Sequence, residues 1–141
     1  MDLVQLTTHI DATAVRAAIG TPDAYVTRES RDIVDQQVRE RASVAALLIL
    51  FDGGRHEEHE LHDGGTLRIG RSITADIPLE DPMISRKHAV IERHGSTIRV
   101  LDDRSLNGVF VNGARIDGSQ TLGDADEVQI AGFVMRLILP S

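Results

Sequence analysis

Between apolar flanks, MISRKHAV (Met83–Val90) sets a hydroxyl, a guanidinium, an ammonium and an imidazole in a row. Three roles suit such a set. Ser85 and His88 could be a nucleophile and its base, with Asp76 or Asp102 completing a triad. The cations, the hydroxyl and nearby backbone N–H groups could instead clamp an anion. Or the four residues could form a solvated turn. A second dense stretch, HEEHELHD (His56–Asp63), holds three histidines among acids and raises the question of a metal.

The first and last chemistries are weakly supported. No glycines flank Ser85 to build the sharp turn that presents a nucleophile, and no oxyanion hole follows from the sequence. H-E-x-H is not H-E-x-x-H, and on a strand His56 and His62 face one way while His59 faces the other. A polar, exposed hairpin strand is the expectation there. Cysteine is absent, which removes disulfides, thiolate chemistry and cysteine-bound metals together. Neither a metal nor a cofactor is expected.

The anion reading gains from its surroundings. Gly70-Arg71 ends one strand, ISRKH follows, and SLNG (Ser105–Gly108) comes later. In a β-sandwich, loops separated by strand pairs return to the same end, so these three can meet. Arg71 and Arg86 would supply charge-assisted forks, Ser85 a hydroxyl, and Asn107 an amide that both donates and accepts. Such a set suits a tetrahedral dianion on an extended peptide.

The elements that must position these residues are mostly strands. In a chain of 141 residues, aromatic content is only 3%, so the core must rest on Val, Ile, Leu and Ala. From Val44 onward, short apolar runs recur between turn signals: DGG twice, then HGS, NG and GDAD. That spacing predicts an all-β sandwich or barrel. The predicted strands are 44–51, 57–61, 66–69, 76–79, 88–93, 97–101, 109–111, 114–116, 127–130 and 133–139. VNGA should be a tight hairpin, since Asn-Gly accepts positive φ at both centres of a type I′ turn. Residues 1–43 read differently, as a helical or partly disordered segment preceding a domain at 44–141. Asp11 can cap a helix over 12–19, and Thr27 a second over 28–42 with a thin stripe of Val34 and Val38.

Net charge is −7, which argues against a broad nucleic-acid face but not against a local cationic site. Lys87 is the only lysine; all other cations are arginine, which suits phosphate or carboxylate recognition and fits a GC-rich bacterial genome. The longest apolar run, VAALLILF, is too short to span a bilayer, and MDLVQLTTHID lacks the features of a signal peptide. A soluble, cytoplasmic protein without membrane contact is expected.

With these residues in view, the stretch from IGRSITADIPLEDPMISRKHAV to FVNG and LGDADEVQI resembles a forkhead-associated (FHA) domain over roughly Val44–Leu139. The resemblance implies an eleven-stranded β-sandwich that reads phosphothreonine peptides with the loops at one end. It implies phosphate contacts from Arg71, Ser85 and Arg86, and a peptide-backbone contact from Asn107. Gly70, His88 and Gly108 would support the site, His88 as a brace and not a base. Residues Met83 and Ile84, with Arg104 nearby, would meet the third residue after the phosphothreonine and favour an apolar side chain there. Two positions depart from the family pattern: Leu106 and Val109 stand where threonine is frequent.

The expected function is therefore non-catalytic phosphothreonine-dependent protein binding, downstream of a Ser/Thr protein kinase. A metal-dependent or serine hydrolase is one alternative. A structural module with an unused anion site, self-associating through the N-terminal segment, is the other. In that segment Thr8, within LTTHID, is a candidate phosphoacceptor that could occupy the chain's own site or a neighbour's.

Overall fold

The apolar run at 44–51 forms a strand covered on both faces, which is why its sequence does not alternate. This strand, β1 (Ala46–Asp52), is buried at every residue. Ala46, Leu48 and Leu50 face the main core, whereas Leu47, Ile49 and Phe51 belong to a second apolar cluster on the outer side. The computed structural model describes residues 27–41 and 45–140. The expected helix over 12–19 and the threonine at position 8 lie outside them.

A helix, α1 (Arg28–Arg41), precedes β1. The strands that follow are β2 (Arg55–Leu61), β3 (Thr66–Gly70), β4 (Ile77–Pro78), β5 (Ala89–His94), β6 (Thr97–Asp102), β7 (Phe110–Val111), β8 (Ala114–Arg115), β9 (Ser119–Leu122), β10 (Glu127–Ile130) and β11 (Phe133–Ile138). They form two sheets, in the orders β2-β1-β11-β10-β7-β8 and β4-β3-β5-β6-β9. All pairings are antiparallel except β3 with β4. The core between the sheets takes Ile69, Ile91, Ile98 and Val100 from one, and Leu48, Val128, Phe133, Met135 and Leu137 from the other. Eleven strands are present among the described residues, the number the resemblance implied.

Two local differences from the sequence reading stand out. Strand β9 was not expected, because SQTL offers only Leu122 to the core; its remaining support comes from backbone pairing with β6. Strand β5 starts at Ala89, one residue later than expected at an element's end; the His88 amide still donates to the Ile69 carbonyl at 3.0 Å and its carbonyl accepts from the Asp103 amide at 2.9 Å. The VNGA turn has the expected geometry, with φ of 50° at Asn112 and 87° at Gly113.

Thr27 caps α1: the Ser30 amide donates to its Oγ1 at 3.1 Å. Val38 is fully buried and Val34 partly so, against Leu47, Ile49, Phe51, Val134 and Ile138 of β1 and β11. Ionic contacts align the same face. Arg136 reaches Asp35 at 2.9 Å, Asp32 at 3.0 Å and Glu127 at 3.1 Å, and Arg31 meets Glu127 at 2.9 Å. Arg39 bridges Asp35 and Asp124. Burial pushes the Asp124 carboxyl up, but hydrogen bonds from Arg39 and the Leu139 amide outweigh it and hold the group below its ordinary range. Buried ion pairs roughly offset their own desolvation, so the valines supply the driving force and the charges fix the helix's register. The helix therefore packs on the sandwich through its thin apolar stripe. No helix among the described residues is long and apolar enough to cross a membrane.

Candidate anion-binding site

Strand β3 delivers Gly70 and Arg71 to one end of the sandwich, and only glycine allows what happens next. A Cβ at position 70 would stand 2.1 Å from the Arg86 carbonyl oxygen and 2.8 Å from its carbon. Without it, the loop after β3 lies directly on the Ser85–Arg86 backbone. The Arg71 amide donates to the Ser85 carbonyl at 3.0 Å, and the Ser72 amide to the Arg86 carbonyl at 3.2 Å. Arg71 Nε donates to the Ile84 carbonyl at 3.1 Å, which fixes the side chain's direction and leaves its terminal N–H groups to point elsewhere.

His88 ties this pair of loops to the third. Its ring is fully buried. The Ser85 amide can only donate, and it does so to Nδ1 at 3.0 Å. That leaves Nε2 to carry the hydrogen and donate to the Gly108 carbonyl at 2.8 Å. Both ring nitrogens are thus spent on backbone, and neither is bonded to the Ser85 hydroxyl. The hydroxyl oxygen accepts instead from the Leu106 amide at 3.1 Å, and its own hydrogen has no acceptor among the described residues. A Ser–His nucleophilic pair requires the opposite arrangement. Among the described residues, no three His, Asp or Glu side chains stand together as a metal site; His59 and His62 sit against Glu57 and Glu60 at 3.3 and 2.9 Å.

The 103–109 loop supplies Asn107. Its Nδ2 donates to the Met83 carbonyl at 2.7 Å, and its carbonyl oxygen and second N–H are left for another partner. Gly108 holds φ at 90°, with the Arg115 guanidinium packed where a side chain would project. Two further residues shape the loop. Ser105 Oγ accepts from the Gly108 amide at 3.0 Å, and Asp102 Oδ1 accepts from the Ser105 amide at 2.7 Å. Sequence reasoning weighed Asp102 only as a triad acid and gave Ser105 and Arg115 no role; the D-x-x-S spacing before N-G was the available signal for the first two, since both side chains cap local turns.

Arg71, Ser85, Arg86 and Asn107 are therefore gathered at one end of the fold. Neither Arg71 nor Arg86 has a carboxylate partner among the described residues. Two of the residues expected to meet the peptide further along are placed differently. Ile84 is 1% exposed and packs in the core, because the Asp81–Ile84 turn directs it inward while Met83 points out. Arg104, at φ 57°, is exposed but does not line the groove beside Asn107, which is walled by Asp81, Met83, Phe110 and Gln129.

A family model described as the FHA domain matches residues 67–131. The glycogen accumulation regulator GarA of Mycolicibacterium smegmatis is 40% identical over 91 residues, which cover 64% of this chain and 57% of that protein. The chain thus spans less than two thirds of that relative's length. The crystal structure of the FHA domain of the CT664 protein from Chlamydia trachomatis superposes with a TM-score of 0.65 at 31% identity, covering 69% of this chain and 99% of that one. A structure from a structural and functional analysis of phosphothreonine-dependent FHA domain interactions gives 0.61 at 30% identity, covering 69% of this chain and 98% of that one. With the glycine-backed loop, the buried histidine brace and the unpaired arginines in place, these likenesses lead to one assignment: the chain belongs to the FHA domain family.

Proposed function

We propose that this protein is a non-catalytic phosphothreonine-dependent binding module acting in the cytoplasm downstream of a Ser/Thr protein kinase. In this reading residues 44–141 are the peptide-binding domain and 1–43 an appended segment anchored through α1. Arg71, Ser85 and Arg86 hold the phosphate, and Asn107 holds the peptide backbone. One observation carries it: two arginines without carboxylate partners and a serine hydroxyl whose hydrogen has no acceptor among the described residues are fixed on loops cross-linked by a buried, fully hydrogen-bonded histidine. A rigid, partner-ready cluster of donors is what a dianion needs, because little ordering remains to be done on binding. The apolar surface agrees. Of the large hydrophobic residues exposed among the described ones, Ile73, Met83 and Leu106 all stand on the site's loops.

The test is an oriented peptide library read against its unphosphorylated counterpart. Phosphothreonine peptides should be retained and threonine peptides lost. Matched phosphoserine peptides should bind more weakly by roughly 1 kcal/mol, the contribution of one buried methyl group. Beside Met83 and Phe110, an apolar residue should be selected three places after the phosphothreonine. Equal retention of the two libraries would end this reading, and selection of Asp at that third place would end its apolar part.

The N-terminal segment adds a regulatory form of the same reading, in which phosphorylated Thr8 is a tethered ligand. Tethering gives effective concentrations on the order of millimolar, enough for a weak sequence match to compete. Phosphorylating the protein should then lower its affinity for an external phosphopeptide, and Thr8→Ala should restore it. Affinity that is the same before and after phosphorylation removes the switch.

A further inference from the structure

We propose that a second anion site lies beside the phosphate loops, formed by Arg68, Arg86 and Lys87 with the hydroxyls of Ser72 and Thr74. It takes a second acidic group, a phosphate or a carboxylate, on the N-terminal side of the same phosphothreonine peptide. The inference rests on the phosphothreonine reading above.

These five side chains line one concavity on the β3–β5 face, with Asp103 the one acid at its wall. Three cations line the concavity against one carboxylate, and the nearby Asp76 carboxylate is spent on the Arg68 amide at 2.8 Å; this is a local excess in a chain of net charge −7, and it includes the only lysine. By contrast, in the pocket lined by Arg28, Arg31 and Arg136, two of the three arginines are paired: Arg31 with Glu127, and Arg136 with Asp32, Asp35 and Glu127. Arg68, Arg86 and Lys87 have no carboxylate within ion-pair distance among the described residues. Cations gathered in one concavity repel each other and are best relieved by an anion placed between them.

The hydroxyls are ordered for the same task. Ser72 Oγ and Thr74 Oγ1 lie 2.8 Å apart and share one hydrogen, so the second hydroxyl hydrogen is free to donate. The Thr74 amide holds Ser72 Oγ at 3.2 Å, and the Ser72 amide is itself anchored on the Arg86 carbonyl. This wall is therefore continuous with the phosphate loops. The Ser85–Arg86 segment separates the concavity from the groove beside Met83 and Asn107. If residues after the phosphothreonine use that groove, those before it run over Arg86 toward Lys87 and Arg68.

The experiment titrates the full chain at low ionic strength with a singly phosphorylated threonine peptide. It then uses versions carrying phosphoserine or Glu at each of several positions before the phosphothreonine. A second phosphate at the best position should tighten binding about tenfold, a gain that falls as salt is raised. In the double variant Arg68→Ala, Lys87→Ala the gain should vanish while the singly phosphorylated peptide binds as before. Glu matching the gain identifies an acidic sequence as the ligand; Glu without effect identifies a second phosphate. A gain below about twofold at every position, with Arg71-dependent binding intact, overturns the second site and leaves the phosphothreonine reading standing. A gain that survives in the double variant overturns its assignment to these residues. Failure to bind any phosphothreonine peptide overturns both.

Discussion

Arg71→Ala should weaken phosphothreonine-peptide binding by on the order of 2–4 kcal/mol, or roughly thirtyfold to nearly a thousandfold, while the fold persists. The two halves of that expectation come from different parts of the residue. The backbone of Arg71 carries the bond to the Ser85 carbonyl, and alanine keeps it. The side chain spends only Nε on the protein, accepted by the Ile84 carbonyl, and sits on the exposed side of the loop. Its removal therefore takes donors away from the ligand and little from the core. Arg71→Lys is the informative companion: it keeps the charge but loses the planar fork and the Ile84 bond, so it should recover only part of the affinity. Calorimetric titration of one peptide against the three proteins, with thermal melts alongside, measures both halves. A dissociation constant unaltered by Arg71→Ala would refute the phosphate assignment.

The second large effect is expected on stability. His88→Ala removes a fully buried ring that joins two loops. It leaves the part-buried Ser85 amide and the buried Gly108 carbonyl without partners, at about 1–3 kcal/mol each, and opens a cavity besides. A total of roughly 3–5 kcal/mol is a large share of the 5–15 kcal/mol that holds a typical domain together. Urea denaturation should show a lower midpoint with little change in slope. Binding should weaken as well under conditions where the variant remains folded, since the Ser85 and Asn107 loops are no longer tied to each other. His88→Gln should not rescue it, because a single amide cannot span both loops with the ring's rigid geometry. A stability loss under about 1 kcal/mol would show that the histidine is not the brace.

These two residues also mark where sequence reading succeeds and where it stops. The strand pattern was legible from Val44 onward because a half-buried strand must alternate, and a doubly covered one such as β1 must be apolar throughout. The VNGA hairpin was legible because few residues besides Asn-Gly accept positive φ twice in succession. Thr27 was legible as a helix cap for a similarly local reason. Strand β9 was not, since its pairing with β6 is made by backbone groups that every residue carries.

For the site, the sequence by itself determined the chemical inventory: Arg71, Ser85, Arg86, His88 and Asn107, in an order shared with a known family. Only the tertiary structure decided the directions. Met83 and Ile84 are adjacent and similarly apolar, yet one faces solvent and the other the core, because the Asp81 turn sets the side on which each emerges. That His88 braces rather than acts as a base followed from the family resemblance alone; the atoms it ties, a Ser85 amide and a Gly108 carbonyl on different loops, are set only by the fold. Arg68 lies three residues before Arg71 and looks like an ordinary exposed strand residue, but folding sets it in one concavity with Arg86 and Lys87. Charge and hydrogen-bonding capacity belong to residues one at a time, whereas convergence depends on long-range strand pairing. That pairing is a property of the closed sandwich and of no segment within it.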